Sequence, residues 1–390
     1  MTAAKKKTII GLTGNIATGK TVVRKMLGHL GAYTIDADAL THRIMAQDGP
    51  GYEPIIDQFG KFILDSNGDI DRSKLGGLVF SDPEALASLE AIIHPYVRKA
   101  VDYMVEKSTQ DVVVVEAIKL LESPLRGKMD LIWVTTASED EQLVRLASKR
   151  GMSAAEARKR MSNQSPQAEK AAAADVVIEN NGSFEDTWVQ VQAGWQKMFP
   201  SGSTGDTVRI PVEQVREAAA QQTDFSTAAL ETDRAKPRQA EDIALLINRL
   251  SGGDKQLNRM DIMAAFGEKA FMLLIAEGQL VGVAGWQVEN LVARVDEIWL
   301  EPALNQAKAV EVLMDSVVAA SKELQAEALL VFVDPEELAD AAVWQPLNYQ
   351  IMTIPQLEVT AWKEAAGESQ PPDTVILFKQ LRIDRVLRPL

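Results

Sequence analysis

The 390-residue sequence contains no cysteine and only three histidines, His29, His42 and His94. The absence of cysteine excludes disulfide bonds, thiolate metal sites and cysteine nucleophiles. Three scattered histidines disfavour a metal site built from several histidine ligands. No apolar stretch reaches the roughly 18 residues that a membrane span needs, and the apolar run after the basic N-terminus is too short for a signal peptide. We therefore expect a cytoplasmic protein with no membrane partner.

Positive charge is scarce in the second half of the chain. Residues 1–200 have a net charge of −2 and residues 201–390 a net charge of −12, within a total of −14. Nucleic-acid binding requires a basic face, so we expect no nucleic-acid partner. The near-neutral first half can still form a local basic pocket for a small phosphorylated ligand.

Short apolar runs alternate with helical patterns over the first 200 residues. Runs of this kind are typical of strands buried on both faces of a parallel sheet, so the alternation predicts an α/β fold. The predicted strands are 8–13, 33–36, 111–116, 131–135 and 176–178, and the predicted helices include 21–30, 83–108 and 139–150.

The remaining sequence predicts a linker and a second domain. Residues 201–234 open with a Ser/Gly-rich stretch and stay largely polar, which indicates a tether between domains. Residues 235–390 show a helix, an antiparallel meander, a second helix and a strand, which predicts a smaller α+β domain. The predicted domains are therefore 1–200 and 235–390, joined by 201–234.

A phosphate-binding motif follows the first predicted strand. The string GNIATGKT at 14–21 fits G-x-x-x-x-G-K-[ST] at every fixed position, in the strand–loop–helix setting that the motif requires. We expect Lys20 to reach the β- and γ-phosphates of ATP and the Thr21 hydroxyl to bind Mg²⁺. The predicted nucleotide-binding residues are Gly14, Asn15, Ile16, Ala17, Thr18, Gly19, Lys20 and Thr21.

Two carboxylates, Asp36 and Asp38, end the second predicted strand. Acidic residues at the C-terminal end of a neighbouring parallel strand point towards the phosphate end of such a site. One carboxylate can accept the proton of an attacking hydroxyl, and the other can help to hold Mg²⁺ through water. The alternative interpretation is a helix N-cap aspartate.

These features, with further segments in order as far as residue 182, resemble the dephospho-CoA kinase family. The matching segments include IDADAL with His42, IIHP at 92–95, Arg160-Met161, Gln164, Lys170, ADVVI at 174–178 and NNG at 180–182. The resemblance implies a P-loop kinase with a parallel sheet and a helical lid. It also implies ATP-dependent phosphorylation of the ribose 3′-hydroxyl of dephospho-CoA, which gives CoA and ADP.

The resemblance also implies roles for individual residues. Asp38 becomes the candidate base, with Lys20 and Arg145 as further catalytic residues. Arg150 becomes a nucleotide-binding lid arginine, and Arg158 and Arg160 lie where the family has other lid arginines. Solvated charges on a helix face are the alternative for each arginine. The candidate substrate-binding residues are Asp36, Asp38, His42, His94 and Lys119.

Several of these candidates have a competing structural interpretation. His42 and His94 can be structural residues, with His94 at a helix kink or junction before Pro95. Lys119 can contact a substrate phosphate or lie solvated at the surface. The sequence also departs from the family: Asn15 and Ala17 replace common glycines, so slight strain is expected in the loop, and Ile118 takes the place of a proline.

Residues 271–286 and 295–302 resemble the central strands of GNAT-type N-acetyltransferases. In that family the strand ending near Leu300 leads into a glycine-containing loop that binds the CoA pyrophosphate through backbone N–H groups. Residues 303–310 contain no glycine, and Lys308 is their only cation. Three hypotheses remain: an active acetyltransferase, a non-catalytic module that stabilises, regulates or oligomerises the kinase, and a residual CoA-binding site.

Two other functions stay open for the first domain. One is a different P-loop kinase, acting on a nucleoside or nucleotide, and the other is an NTP-dependent switch with an adaptor domain. The expected partner is the small-molecule substrate dephospho-CoA, and the sequence is compatible with a homo-oligomer.

Overall fold

The computed structural model describes residues 7–79, 82–199, 225–335 and 341–382. The chain folds into two compact units, one built mainly from residues up to Gly194 and the other mainly from later residues. Most of the predicted linker, residues 201–224, lies outside the described residues, as do residues 1–6 and 383–390.

The first unit contains a five-stranded sheet in which every pairing is parallel, as predicted. Its strands are β1 (Thr8–Gly14), β2 (Tyr33–Asp36), β3 (Val112–Glu116), β4 (Leu131–Thr136) and β5 (Val176–Glu179). The spatial order is β2-β3-β1-β4-β5, so β1 is central and its C-terminal end lies between those of β3 and β4. All five residues of β3 are buried, which explains the unbroken apolar run that predicted it.

Helices connect these strands. They are α1 (Lys20–His29), α2 (Ala37–Met45), α3 (Tyr52–Phe59), α4 (Arg72–Val79), α5 (Pro83–Lys107), α6 (Glu139–Arg150), α7 (Ala154–Ser162), α8 (Gln167–Ala172) and α9 (Phe184–Met198). The predicted helix at 139–150 is confirmed to the residue. Pro95 lies inside α5, which continues for twelve more residues, so His94 lies within a helix rather than at a junction.

The second part of the chain contains a seven-stranded sheet. Its strands are β6 (Leu230–Arg234), β7 (Ala270–Ala276), β8 (Gln279–Glu289), β9 (Val292–Leu300), β10 (Ala328–Val333), β11 (Gln350–Met352) and β12 (Val375–Gln380). The order is β11-β12-β10-β9-β8-β7-β6, and β9 and β10 form the one parallel pair among these strands. The predicted order of helix, meander, helix and strand is confirmed.

Five helices accompany this sheet within the described residues: α10 (Ala240–Leu250), α11 (Arg259–Ala265), α12 (Gln306–Glu323), α13 (Ala341–Trp344) and α14 (Thr360–Ser369). Strand β6 comprises the last five residues of the segment predicted as a linker, and it pairs with β7. Its sequence, LETDR, is polar because it is an edge strand, and this polarity concealed it. None of the helices in the described ranges is long and apolar enough to cross a membrane.

Candidate active site

The phosphate loop connects β1 to α1 through two glycines that no other residue could replace without movement. Gly14 and Gly19 have φ angles of 152° and 90°, in the region that side chains rarely adopt. A Cβ on Gly14 would lie 2.4 Å from the carbonyl oxygen of Thr135, and a Cβ on Gly19 would lie 1.9 Å from Nδ2 of Asn180. The loop therefore packs directly against the ends of β4 and β5.

Ala17 has a φ of 59°, so an L-residue occupies the left-handed region where the resemblance leads us to expect glycine. The cost of this conformation is about 1 kcal/mol, which agrees with the slight strain expected. Internal contacts hold the loop in shape. Thr18 Oγ1 donates to the Asn15 carbonyl at 2.8 Å, and Lys20 Nζ donates to the same oxygen at 3.1 Å.

The N-terminus of α1 has no side-chain cap. Its N-cap residue is Gly19, and the first turn contains no acidic residue. The first backbone N–H groups of a helix attract anions, and an uncapped N-terminus leaves them available to a phosphate. Lys20 is the first residue of this helix and is only 7% exposed, so its ammonium group adds positive charge at the same place.

A buried ion pair lies beside the loop at the end of β3. Glu116 Oε2 accepts a hydrogen bond from Arg24 Nε at 2.6 Å, and both residues are buried. Glu116 Oε1 lies 3.3 Å from the Thr21 hydroxyl, the predicted Mg²⁺ ligand. Arg24 Nη2 also lies 3.6 Å from Asp36 Oδ2. The guanidinium therefore joins the carboxylates at the ends of β2 and β3.

Asp36 caps α2, because its Oδ1 accepts from the backbone N–H of Ala39 at 2.9 Å. The N-cap interpretation is thus correct for Asp36. Asp38 lies in the first turn of the helix, and its Oδ2 accepts from the backbone N–H of Ile118 at 3.1 Å. This bond brings the first turn of α2 to the loop that follows β3.

Burial raises the pKa of the Asp38 carboxyl to about 6, and the charges of Asp36 and Glu116 act in the same direction. The Ile118 N–H and the charge of Lys20 oppose this rise. A carboxylate with such a pKa is a stronger proton acceptor than an ordinary aspartate and is still mostly ionised at neutral pH. Its environment therefore suits a general base.

Arg145 on α6 contacts the phosphate loop. Its Nη1 donates to the Ala17 carbonyl at 3.3 Å, and its Nη2 donates to the Asn180 carbonyl at 2.8 Å. Glu141, one turn earlier, lies 3.3 Å from the same guanidinium. The structure thus brings Arg145 together with the predicted nucleotide-binding residues.

The segment between α7 and α8 is also attached to the loop. The backbone N–H of Ile16 donates to Gln164 Oε1 at 2.8 Å, and Asn15 Nδ2 donates to the Ser165 carbonyl at 3.0 Å. The Ile16 side chain packs in a small apolar cluster with Leu146 and Ala157. Residues of α6 and α7 therefore cover one side of the phosphate loop.

Exposed side chains are found at three further predicted residues, Lys119, Arg158 and Arg160. Lys119 is 63% exposed and lies 3.5 Å from Glu90 on α5. Arg158 and Arg160 are exposed and pair with Glu139 and Glu156, as expected for solvated helix charges. The side chain of Arg150 lies outside the described residues.

The two candidate histidines lie on separate helices of this unit. His42 is an exposed residue of α2. Partial desolvation and the charge of Arg72 lower the pKa of its imidazole. His94 is half-buried in α5.

Sequence reasoning did not assign Glu116 or Arg24 to the site. Glu116 ends a buried apolar strand, and a single acid at that position is a usable signal. Arg24 follows Lys20 by one helical turn on the same face of α1, between the buried residues Val23 and Met26. A charged side chain in such a position indicates a buried partner.

In the second unit, the N-terminus of α12 is the position where the resemblance predicts a pyrophosphate loop. Asn305 caps this helix, with its Oδ1 accepting from the Lys308 N–H at 3.2 Å. Gln306 Nε2 donates to the Glu301 carbonyl at 2.8 Å, and the Glu301 carboxylate pairs with Arg249. Side chains of the chain itself thus occupy this helix end.

Comparisons with known proteins agree with the geometry. The family model for dephospho-CoA kinase matches residues 8–186. Over 192 residues the chain is 43% identical to a dephospho-CoA kinase from Carboxydothermus hydrogenoformans, covering 48% of this chain and 93% of that protein. A dephospho-CoA kinase structure from Campylobacter jejuni is 26% identical with a TM-score of 0.38, covering 50% of this chain and all of its own.

The second unit has structural neighbours of another kind. A GNAT-family acetyltransferase from Streptococcus pneumoniae is 12% identical to this chain with a TM-score of 0.31, covering 39% of this chain and 99% of its own. For the first unit, the resemblance stated from the motifs is confirmed by the family model and by the extent of identity to its relatives. The chain belongs to the dephospho-CoA kinase family.

Proposed function

We propose that the first unit transfers the γ-phosphate of ATP to the ribose 3′-hydroxyl of dephospho-CoA, with Asp38 as the general base. The observation that carries this assignment is the position of Asp38. Its carboxylate lies among Lys20, Asp36 and Glu116, beside an uncapped helix N-terminus that suits phosphate. The family's ATP-dependent chemistry then has an acceptor for the proton of the hydroxyl.

The residues present fit a bound Mg²⁺ ion. Magnesium keeps several waters and usually takes one or two protein oxygens together with substrate phosphates. The Thr21 hydroxyl and the Glu116 carboxylate would supply those oxygens. The described residues include no group of three or more histidine or acidic side chains that could hold a metal ion. When bound, Mg²⁺ would neutralise charge on the β- and γ-phosphates.

The chain's own residues would align the reactants and stabilise charge. Lys20 and the N-terminus of α1 would hold the β- and γ-phosphates, and Arg145 would hold the lid side of the loop in place. Asp38 would accept the proton from the 3′-hydroxyl as its oxygen bonds to the γ-phosphorus. The bond from that phosphorus to the bridging oxygen breaks, and ADP leaves. Phosphoryl transfer needs little beyond such alignment and electrostatic stabilisation.

The test is a product assay on the whole protein. We expect stoichiometric CoA and ADP from dephospho-CoA and ATP, detected by mass spectrometry, with no comparable turnover of adenosine or AMP. Turnover of a nucleoside or nucleotide in preference to dephospho-CoA would support the alternative kinase. Tight ATP binding without turnover of any acceptor would support a nucleotide switch.

We further propose that the unit after residue 225 is a non-catalytic module. The Asn305 cap at the N-terminus of α12 and the lack of glycine at 303–310 disfavour binding of a pyrophosphate at that place. The test is incubation of the whole protein with acetyl-CoA and a panel of amine acceptors. Release of free CoA above the rate of the buffer alone would contradict this assignment.

A further inference from the structure

The backbone of Ile118 joins three parts of the first unit. Its N–H donates to Asp38 Oδ2 at 3.1 Å, while its carbonyl oxygen accepts from Lys170 Nζ at 2.9 Å and from Thr13 Oγ1 at 3.0 Å. The partners come from α2, α8 and β1. Two donors on the carbonyl and one acceptor on the N–H fix this residue on both sides.

Lys170 is a costly choice for a merely structural contact. It is only 3% exposed, and an ammonium group buried to this degree needs strong partners. Its Nζ donates to the Ile118 carbonyl and lies 3.8 Å from Oε1 of the Glu122 carboxylate. Ser165, from the segment attached to the phosphate loop, donates to that same Glu122 oxygen. Lys170 thus lies between Glu122, which is bonded to Ser165, and Ile118, which is bonded to Asp38.

The bond from Ile118 to Asp38 depends on the residue type at position 118. A proline, which the family resemblance leads us to expect there, has no N–H and could not donate. Three charged groups act on the Asp38 carboxylate, namely Asp36, Glu116 and Lys20, and the two acids disfavour its ionised form. The Ile118 N–H is the backbone donor that favours the ionised form.

We propose that Lys170 and Thr13 are positioning residues of the kinase, which hold the Ile118 backbone so that its N–H keeps the Asp38 carboxylate in place as proton acceptor. The inference rests on the proposed role of Asp38. Both side chains donate to the Ile118 carbonyl and would therefore act on Asp38 through the Ile118 backbone.

The test is the pH dependence of kcat/KM for dephospho-CoA, measured on the whole protein. Ile118→Pro removes the donor, so we expect the acid limb of the profile to move to higher pH by about one pH unit. Ile118→Val keeps the N–H, and we expect its acid limb at the parent position. Lys170→Met and Thr13→Val free the carbonyl and should move the limb in the same direction by a smaller amount.

The same variants can overturn the proposal. If the acid limb stays at the parent position in folded Lys170→Met and Thr13→Val, Ile118 is held without them and the inference is wrong. A rise in KM for either substrate with an unmoved limb would instead make Lys170 a substrate ligand. These two variants keep the test valid if Ile118→Pro does not fold.

A failure of the proposed role of Asp38 can be distinguished from a failure of the inference about Lys170 and Thr13. If Asp38→Asn retains activity, Asp38 is not the base, and its proposed role fails independently of Lys170. If Asp38→Asn is inactive while the positioning variants keep the parent profile, only the present inference fails. Lys128→Met, which removes a surface lysine paired with Asp102, controls for the loss of a positive charge.

Discussion

Two strand-to-helix transitions in this chain differ in what occupies the helix N-terminus. At the end of β1, Gly19 precedes α1 with no side-chain cap, and Lys20 places an ammonium group there. After β9, the side chain of Asn305 caps α12, and Gln306 Nε2 donates a hydrogen bond to the carbonyl oxygen of Glu301. The first arrangement has no side-chain acceptor for its backbone N–H groups and leaves them for a phosphate, whereas in the second Asn305 accepts from the Lys308 N–H.

The residues around each transition follow the same division. Beside α1, buried Arg24 and Glu116 form a charged network linked to Asp36, which is costly to bury and suits catalysis. Beside α12, Lys308 is exposed and pairs with Glu311 of its own helix. A strand followed by a helix is therefore not sufficient for an anion site, because a side-chain cap takes up an N–H donor that the anion would need.

The largest expected effect is the loss of kcat when Asp38, the proposed base, is substituted. Asp38→Asn should lower kcat about 10⁴-fold, because the amide cannot accept the hydroxyl proton, while ATP binding stays nearly unchanged. Steady-state kinetics with calorimetric titration of ATP would measure both. Asp102→Asn, an exposed aspartate on α5, is the matched control. Activity within tenfold of the parent would remove Asp38 as the base.

The N-termini of α1 and α12 can be compared directly by removing a lysine from each. Lys20→Met should lower kcat/KM for ATP about 10³-fold, because it removes a preorganised charge from the transferring phosphate. Lys308→Met makes the same change at the N-terminus of α12 and should leave the kinase rate at the parent level. Equal losses from the two variants would contradict the distinction between an open and a closed helix end.

Asp38 should also lower the free energy of unfolding at neutral pH. Its pKa is raised to about 6 in the folded chain, so the folded state binds the proton more strongly than the unfolded state. Stability contributed by the protonated form is complete below about pH 4 and is lost as the pH rises through 6. Asp38→Asn should therefore be more stable than the parent by up to about 3 kcal/mol above pH 7.

Urea unfolding at pH 4 and pH 7.5 checks this sign. The difference in unfolding free energy between Asp38→Asn and the parent should grow with pH across that interval. A difference that is constant or that shrinks would show that burial does not raise the pKa of Asp38.

The smallest effect is expected at the capped N-terminus of α12. Asn305→Ala removes the cap of α12 and should lower the unfolding free energy by about 1 kcal/mol. The kinase rate should not change, because the cap lies in the second unit. Thermal unfolding and the CoA-forming assay measure the two quantities. A loss of kinase activity without a loss of stability would contradict the structural role of this side chain.

The strands of the first unit could be predicted from local pattern, because each is a short apolar run in a sheet buried on both faces. The predicted bounds of the five strands differ from the observed ones by at most one residue. The phosphate loop was equally accessible, since its fixed residues are contiguous. Strand β6 was missed because a polar edge strand shows no apolar run.

The contacts that make the site could not be predicted in this way. Glu116 and Arg24 are 92 positions apart, Arg145 reaches Ala17 across 128 positions, and Ile118 reaches Asp38 across 80. No local periodicity records such pairs, and each depends on which strand lies beside which. The sequence by itself determined the strands of the first unit, the phosphate loop and the family. Only the tertiary structure decided which charges meet, because the parallel strand order places the ends of β1, β2 and β3 side by side.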